Sequence, residues 1–145
     1  RYFDLLKVSS VQIAFRRKKV SASGIQFDPF MGAGSGNGAQ EENKFLMDCY
    51  KAGLSIYYVP VEIGTLIPKE STWFHGYDRN FFYLRGTATR YLLGLPLSLA
   101  YAFYYIISKR KLYSNDIPPL AALSETIRGC IQNDIEKQKK RSIEE

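Results

Sequence analysis

The chain has 145 residues, enough for one domain or for one part of a larger one. Hydrophobic residues make up 46% of it, an ordinary share for a globular core, and the aromatic share of 14% is high. The formal charge is +6, and the two cysteines, Cys49 and Cys130, lack CxxC or metal-ligand spacing. That excludes a disulfide framework and a zinc site, so both read as reduced thiols of a cytosolic protein.

The positive charge is gathered in Arg16-Arg17-Lys18-Lys19, in Lys109-Arg110-Lys111 and between Lys137 and Arg141. Basic clusters suit nucleic acid, anionic lipid or phosphate-bearing substrates. Here they are spread out and do not interleave with aromatics on one element, which argues against nucleic acid. The last cluster reads as a solvated polar helical tail. The chain opens on Arg1 with no signal-type segment and is read as a fragment; apolar surface would then belong against a missing upstream half.

In chain order, Lys7 to Phe15 alternates Val11, Ile13 and Phe15 against Gln12 and Ala14, which predicts a strand with one buried face. A polar turn over Ser21 to Gly24 and the segment Ile25 to Phe30 lead into a glycine-rich loop, Gly32 to Ala39. Burial cannot drive such a loop, so it is mobile unless a ligand or neighbour orders it. Glu41 to Ala52 is the clearest helix, with acids in its first turn, an apolar stripe of Phe45, Leu46 and Cys49, and Gly53 as its stop. Leu54 to Ile63 alternates again and predicts a second strand, bent or at an edge because of Pro60. Strand, loop, helix, strand is the pattern of an α/β layer.

Asp78 to Arg90 predicts another helix. Tyr91 to Ser108 is then an uncharged apolar run of 18 residues between Arg85, Arg90 and Lys109-Arg110-Lys111. That is the short limit for a membrane span, and Gly94 and Pro96 weaken it. Its tyrosines and basic flanks fit a segment lying at a membrane interface, with a buried core helix or a dimer contact as the alternatives. Leu120 to Ile135 reads as a last helix with Leu123, Ile127 and Ile131 in phase.

Several of these residues, in this order, resemble the C-terminal half of the catalytic domain of family 2 glycosyltransferases, inverting enzymes with the GT-A fold. The resemblance covers roughly residues 7 to 90. It starts at Ser10-Val11-Gln12-Ile13-Ala14-Phe15-Arg16-Arg17 and runs through Gly24-Ile25-Gln26-Phe27-Asp28 and Gly32-Ala33-Gly34. Glu41-Glu42-Asn43-Lys44-Phe45-Leu46 is similar to the family's Glu-Asp-x-x-Phe-Leu element, and Gly53 to Pro60 to its Gly-x-x-Ile-x-Tyr-x-Pro strand. Ser71-Thr72-Trp73 and Arg85-Gly86 complete it.

The resemblance implies an α/β fold, the C-terminal part of a GT-A-type nucleotide-sugar transferase domain over residues 1–90; the apolar run and its basic flanks add, over 91–145, a tail of helices expected to associate with membrane. It implies that Glu42, a Glu where the family more often has Asp, is the general base for the acceptor hydroxyl. Glu41, Gly34, Ser35, Gly36 and Trp73 would shape the acceptor site, and Arg85 would contact the donor diphosphate, although the Gln and Trp that accompany the arginine in some members are absent. Adjacent carboxylates raise one another's pKa, and acids at a helix N-terminus are also stabilised there without any catalysis. Arg85 reads equally as a surface charge, and Trp73 as a buried aromatic. His75, the sole histidine, is given no metal role; many relatives carry a histidine just after the Val-Pro strand, where this chain has Ile67.

The nucleotide-binding half, with its Asp-x-Asp metal motif, would lie upstream of Arg1. A divalent metal, Mg or Mn, is therefore expected for the full enzyme, with no ligands in this segment. The partners implied are a nucleotide-sugar donor, a glycan or lipid-linked acceptor, a membrane surface and a second copy as a homodimer, but no nucleic acid. The place implied is the cytoplasm, peripheral at the inner face of the membrane. The alternative is a non-catalytic membrane- or partner-binding module.

Overall fold

The computed structural model describes residues 2–32, 34–38, 40–65, 74 and 76–144. Trp73, His75 and Ile67 lie outside the described residues. The chain divides into two compact units, one of Arg1–Pro29 with Gln40–Glu70 and one of Phe30–Ala39 with Ser71–Glu145.

The first unit is organised by one helix. A short exposed helix, α1 (Arg17–Ser23), carries the first basic cluster and ends where Gly24 turns left-handed at φ 70°. The helix that follows, α2 (Glu41–Lys51), buries Asn43, Phe45, Leu46, Met47 and Cys49. Gly53, at φ 78°, ends it: Gly53 N donates to Tyr50 O and Leu54 N to Cys49 O, both at 3.0 Å, so two orphan carbonyls of the last turn are satisfied. Phe45 stacks on Phe27 with ring centroids 4.5 Å apart and meets Phe15 at 5.5 Å. Asn43 Nδ2 donates to Leu5 O (2.6 Å) and Val8 O (2.9 Å), tying the N-terminal 3-10 turn Tyr2–Lys7 to the helix.

The expected α/β architecture does not hold. The described residues form helices and irregular segments, with no strand and no sheet, so the α/β arrangement implied by the resemblance is corrected to all-helical. Alternation alone does not make a strand, because an extended backbone needs a neighbour to take its N–H and C=O groups. Leu54 to Ile63 is irregular, and it bends at Pro60, where Val61 N donates to Val59 O at 2.9 Å. Tyr57, Tyr58, Val59, Val61 and Ile63 are all exposed, so neither face of the alternation is buried. In Lys7 to Phe15 a local contact wins instead. Gln12 Oε1 accepts from Ser9 N (3.0 Å) and Ser9 Oγ (3.2 Å), closing the 3-10 turn Ser10–Gln12 in the middle of the expected strand.

The second unit is a set of packed helices: α3 (Arg79–Leu93), α4 (Leu95–Ser108), the short α5 (Arg110–Tyr113), α6 (Pro119–Gln132) and α7 (Asp134–Glu144). Asp78 Oδ1 caps α3 by accepting from Phe81 N at 2.7 Å. The apolar run Tyr91 to Ser108 is not one helix: Gly94, at φ 77°, separates α3 from α4, and Pro96 sits in the first turn of α4, where its missing N–H costs nothing. Pro119 likewise opens α6, and Asn133, at φ 48°, separates it from α7.

The α3–α6 crossing is unusually close because both helices present a glycine. A Cβ on Gly86 would sit 2.0 Å from Thr126 O, and one on Gly129 would sit 2.1 Å from Tyr83 O. The helices therefore touch backbone to backbone, as in small-residue crossings elsewhere. The buried face of α6 is Ala122, Glu125, Thr126, Gly129 and Cys130, whereas Ile131 is exposed. Beside this seam Phe82, Tyr105, Ile106, Tyr113, Ile117 and Ala122 form a core cluster, and Tyr113 Oη donates to Ile106 O at 2.6 Å. Met31, Ala88 and Ile135 make a second cluster with Phe30 and Tyr91 against it, which brings the start of the glycine loop onto α3 and α7.

Candidate functional site

Glu41 and Glu42 occupy the first turn of α2, following Gln40, a non-glycine residue at φ 90°. A left-handed residue other than glycine costs about 1–2 kcal/mol, and such strain tends to collect where a side chain must be aimed. Both glutamates are half-buried. Glu42 Oε1 accepts from Ser10 N at 3.3 Å, so the segment in which the resemblance starts reaches the second acid. Glu41 Oε2 is buried without a hydrogen-bond partner. Burial pushes the Glu41 carboxyl above its ordinary value, and the Glu42 carboxylate beside it pushes the same way; nearby backbone amides pull it back only in part. The pair is thus asymmetric: one acid holds its proton more tightly, and the other is steadied by a backbone N–H. That is an arrangement able to hold and to move a proton at a carboxylate oxygen.

The glycine loop belongs to the second unit. It is closed on itself, with Gly32 N donating to Gly38 O (2.8 Å) and Ser35 N to Gly32 O (3.2 Å). Ser35 Oγ donates to Gly32 O at 2.8 Å and accepts from Asn37 N at 3.1 Å, so its hydroxyl is engaged in the turn. The buried Asn37 donates through Nδ2 to Phe30 O (3.0 Å) and to Gln138 Oε1 of α7 (2.6 Å). A neighbour therefore orders the loop, the condition the sequence set for it. The glycine alternation has a backbone reason: Gly32, Gly34, Gly36 and Gly38 all have positive φ, between 75° and 89°. Gly34 and Gly36 are exposed, while Gly38 lies so close to Leu84 that a Cβ there would meet its Cβ at 3.3 Å.

Arg85 is half-buried on α3. Its guanidinium lies 4.0 Å from the centroid of Tyr105 and 5.1 Å from that of Phe81, held between two aromatic rings. Its Nε is buried with no hydrogen-bond partner, a donor that an anionic oxygen would satisfy. Burial raises the Tyr105 phenol, and the Arg85 charge opposes that rise.

Of the residues singled out from the sequence, Glu41 and Glu42 share one helix start in the first unit; Gly34, Ser35, Gly36 and Arg85 belong to the second; Trp73 is outside the described residues. Sequence reading missed Glu125, a buried acid on α6 held by Arg79 at 3.2 Å and Arg128 at 2.9 Å, because it lies off the stripe of Leu123, Ile127 and Ile131. It also missed the hydrogen bond from Tyr83 Oη to Asp134. Cys49 and Cys130 are free and buried, and burial pushes both thiols up, away from nucleophilic character. Among the described residues no three His, Cys, Asp or Glu side chains converge on a metal position. No protein-family profile matches the chain, and neither a curated protein nor a solved structure matches it.

Proposed function

We propose that this chain supplies the acceptor-activating part of an inverting sugar transfer from a nucleoside-diphosphate-sugar to a hydroxyl, in the synthesis of a surface polysaccharide or glycolipid. The observation that carries the reading is the asymmetric acid pair opening α2 behind a strained Gln40. It joins the resemblance over residues 7 to 90, in which the second acid of such a pair is the base. In this reading Glu42 accepts the proton of the acceptor oxygen as that oxygen attacks the sugar C1, and the diphosphate leaves from the opposite side. Glu41, keeping its proton more readily, donates to the acceptor or to its neighbour and does not compete as the base.

The test is sugar transfer by the full-length protein with a panel of nucleotide-sugars and a membrane extract as acceptor. Glu42→Gln is expected to abolish transfer while donor binding persists, and Glu41→Gln to keep a measurable rate. Normal turnover by Glu42→Gln would overturn the assignment, leaving the pair as the favourable charge of a helix N-terminus.

A further inference from the structure

We propose that α4 and the basic cluster after it form a docking face for an anionic lipid surface, with the helix lying along the bilayer interface. This does not rest on the sugar-transfer reading. Leu95 to Ser108 contains no charged residue. A helix that is apolar all round belongs in a core or in lipid, yet only one side of α4 is covered. Ser98, Ala102, Tyr105 and Ile106 face the core, while Leu97 (48% exposed), Phe103 (50%), Tyr104 (54%) and Ile107 (75%) lie on the surface. Ala100 is exposed between them, so the outward stripe runs at helical spacing with no charged side chain on it.

Charge decides what covers this stripe. Lys109, Arg110 and Lys111 follow the helix directly, all three are exposed, and none is in an ion pair with a described residue. An isologous pairing of two copies would bury the same patch on both sides and supply no counter-charge. An anionic leaflet supplies both halves of the match: acyl chains for the phenyl and aliphatic side chains, and phosphates for the three cations. The tyrosine hydroxyl on the stripe suits headgroup depth. Length fixes the orientation. A helix of 14 residues reaches only about 21 Å, short of the roughly 30 Å of a hydrocarbon core. Among the described residues no helix is long and apolar enough to cross a membrane.

The test is co-sedimentation of the full chain with vesicles of phosphatidylcholine alone and of phosphatidylcholine mixed with phosphatidylglycerol, at low and high salt. Binding to the mixed vesicles is expected, falling steeply with salt and weak on the neutral ones. Replacing Lys109, Arg110 and Lys111 by alanine should weaken it about a hundredfold, roughly fivefold per cation. The pair Phe103→Ser and Ile107→Ser, both at exposed positions and checked for unchanged helicity, should abolish what remains at high salt. No binding to the mixed vesicles, equal binding to neutral ones, or wild-type binding by either variant would overturn the proposal. So would a dimer in sedimentation equilibrium that the serine pair dissociates, because the stripe would then belong to a second copy.

Discussion

The two units are held by different kinds of contact. In the first, side chains do the joining: Phe45 collects the rings of Phe15 and Phe27, and Asn43 ties down the carbonyls of Leu5 and Val8. In the second, the α3–α6 seam is backbone against backbone at Gly86 and Gly129, and the side chains fill in around it. Aromatic contacts can shift a little and keep most of their energy. A seam whose closest contacts are main-chain atoms cannot, because neither partner has a flexible end to move. One region thus tolerates repacking, and the other rejects a single added carbon.

The sharpest way to break that contrast is Gly129→Val. Even the first carbon of the new side chain would lie 2.1 Å from Tyr83 O, so α3 and α6 must part. A loss of more than about 3 kcal/mol is expected, at the upper end for overpacked cores. Urea unfolding followed by helical circular dichroism reads it, and an unchanged midpoint would mean that the seam is not the support of this unit. In the first unit Phe45→Ala removes the ring shared by the cluster and should cost about 3 kcal/mol, whereas Phe45→Leu should cost clearly less because the neighbours can close in. Amide hydrogen exchange along α2 separates the two; equal acceleration by both would show that the cluster is as rigid as the glycine seam.

The same contrast explains what the sequence disclosed. The bounds of α2 were legible because its signals are local: acids in the first turn and a glycine just past the last. The helices at Arg79–Leu93 and Pro119–Gln132 were legible in outline. The buried face of α6 was not. Leu123, Ile127 and Ile131 draw the eye as the apolar stripe, but the neighbour lies so near that only Ala122, Thr126, Gly129 and Cys130 fit against it. Small residues give a weak hydrophobic signal and a strong steric one, and only the partner helix makes the second visible. The strands failed for the opposite reason. Val11 to Phe15 and Ile56 to Ile63 do alternate, but a strand is a relation between two segments, and among the described residues no second segment takes up the backbone groups. Of the candidate site, the acid pair and its place at a helix start were legible; the strain at Gln40 and the unequal environments of the two acids were not, since both depend on what packs around the turn.

That inequality gives the smallest predicted effect and the most specific one. An unfolded Glu41 ionises near 4.5, while the native carboxyl is raised by burial first and by Glu42 next. Above that ordinary value the native chain binds more protons than the unfolded one, so stability falls as pH rises towards the native value and is level beyond it. The contribution is fully present only below the ordinary value. Glu41→Gln removes this dependence: the variant should be more stable than wild type at neutral pH, with the advantage fading as the pH falls from the raised native value towards about 4.5 and gone below it. Glu42→Gln should narrow the window without closing it, because it removes the neighbouring charge and leaves the burial. Thermal melts of the three proteins across the acidic range read the difference. A Glu41→Gln variant that loses stability at neutral pH would place the weight on the backbone amides of the helix start, making the pair an electrostatic cap with two equivalent members.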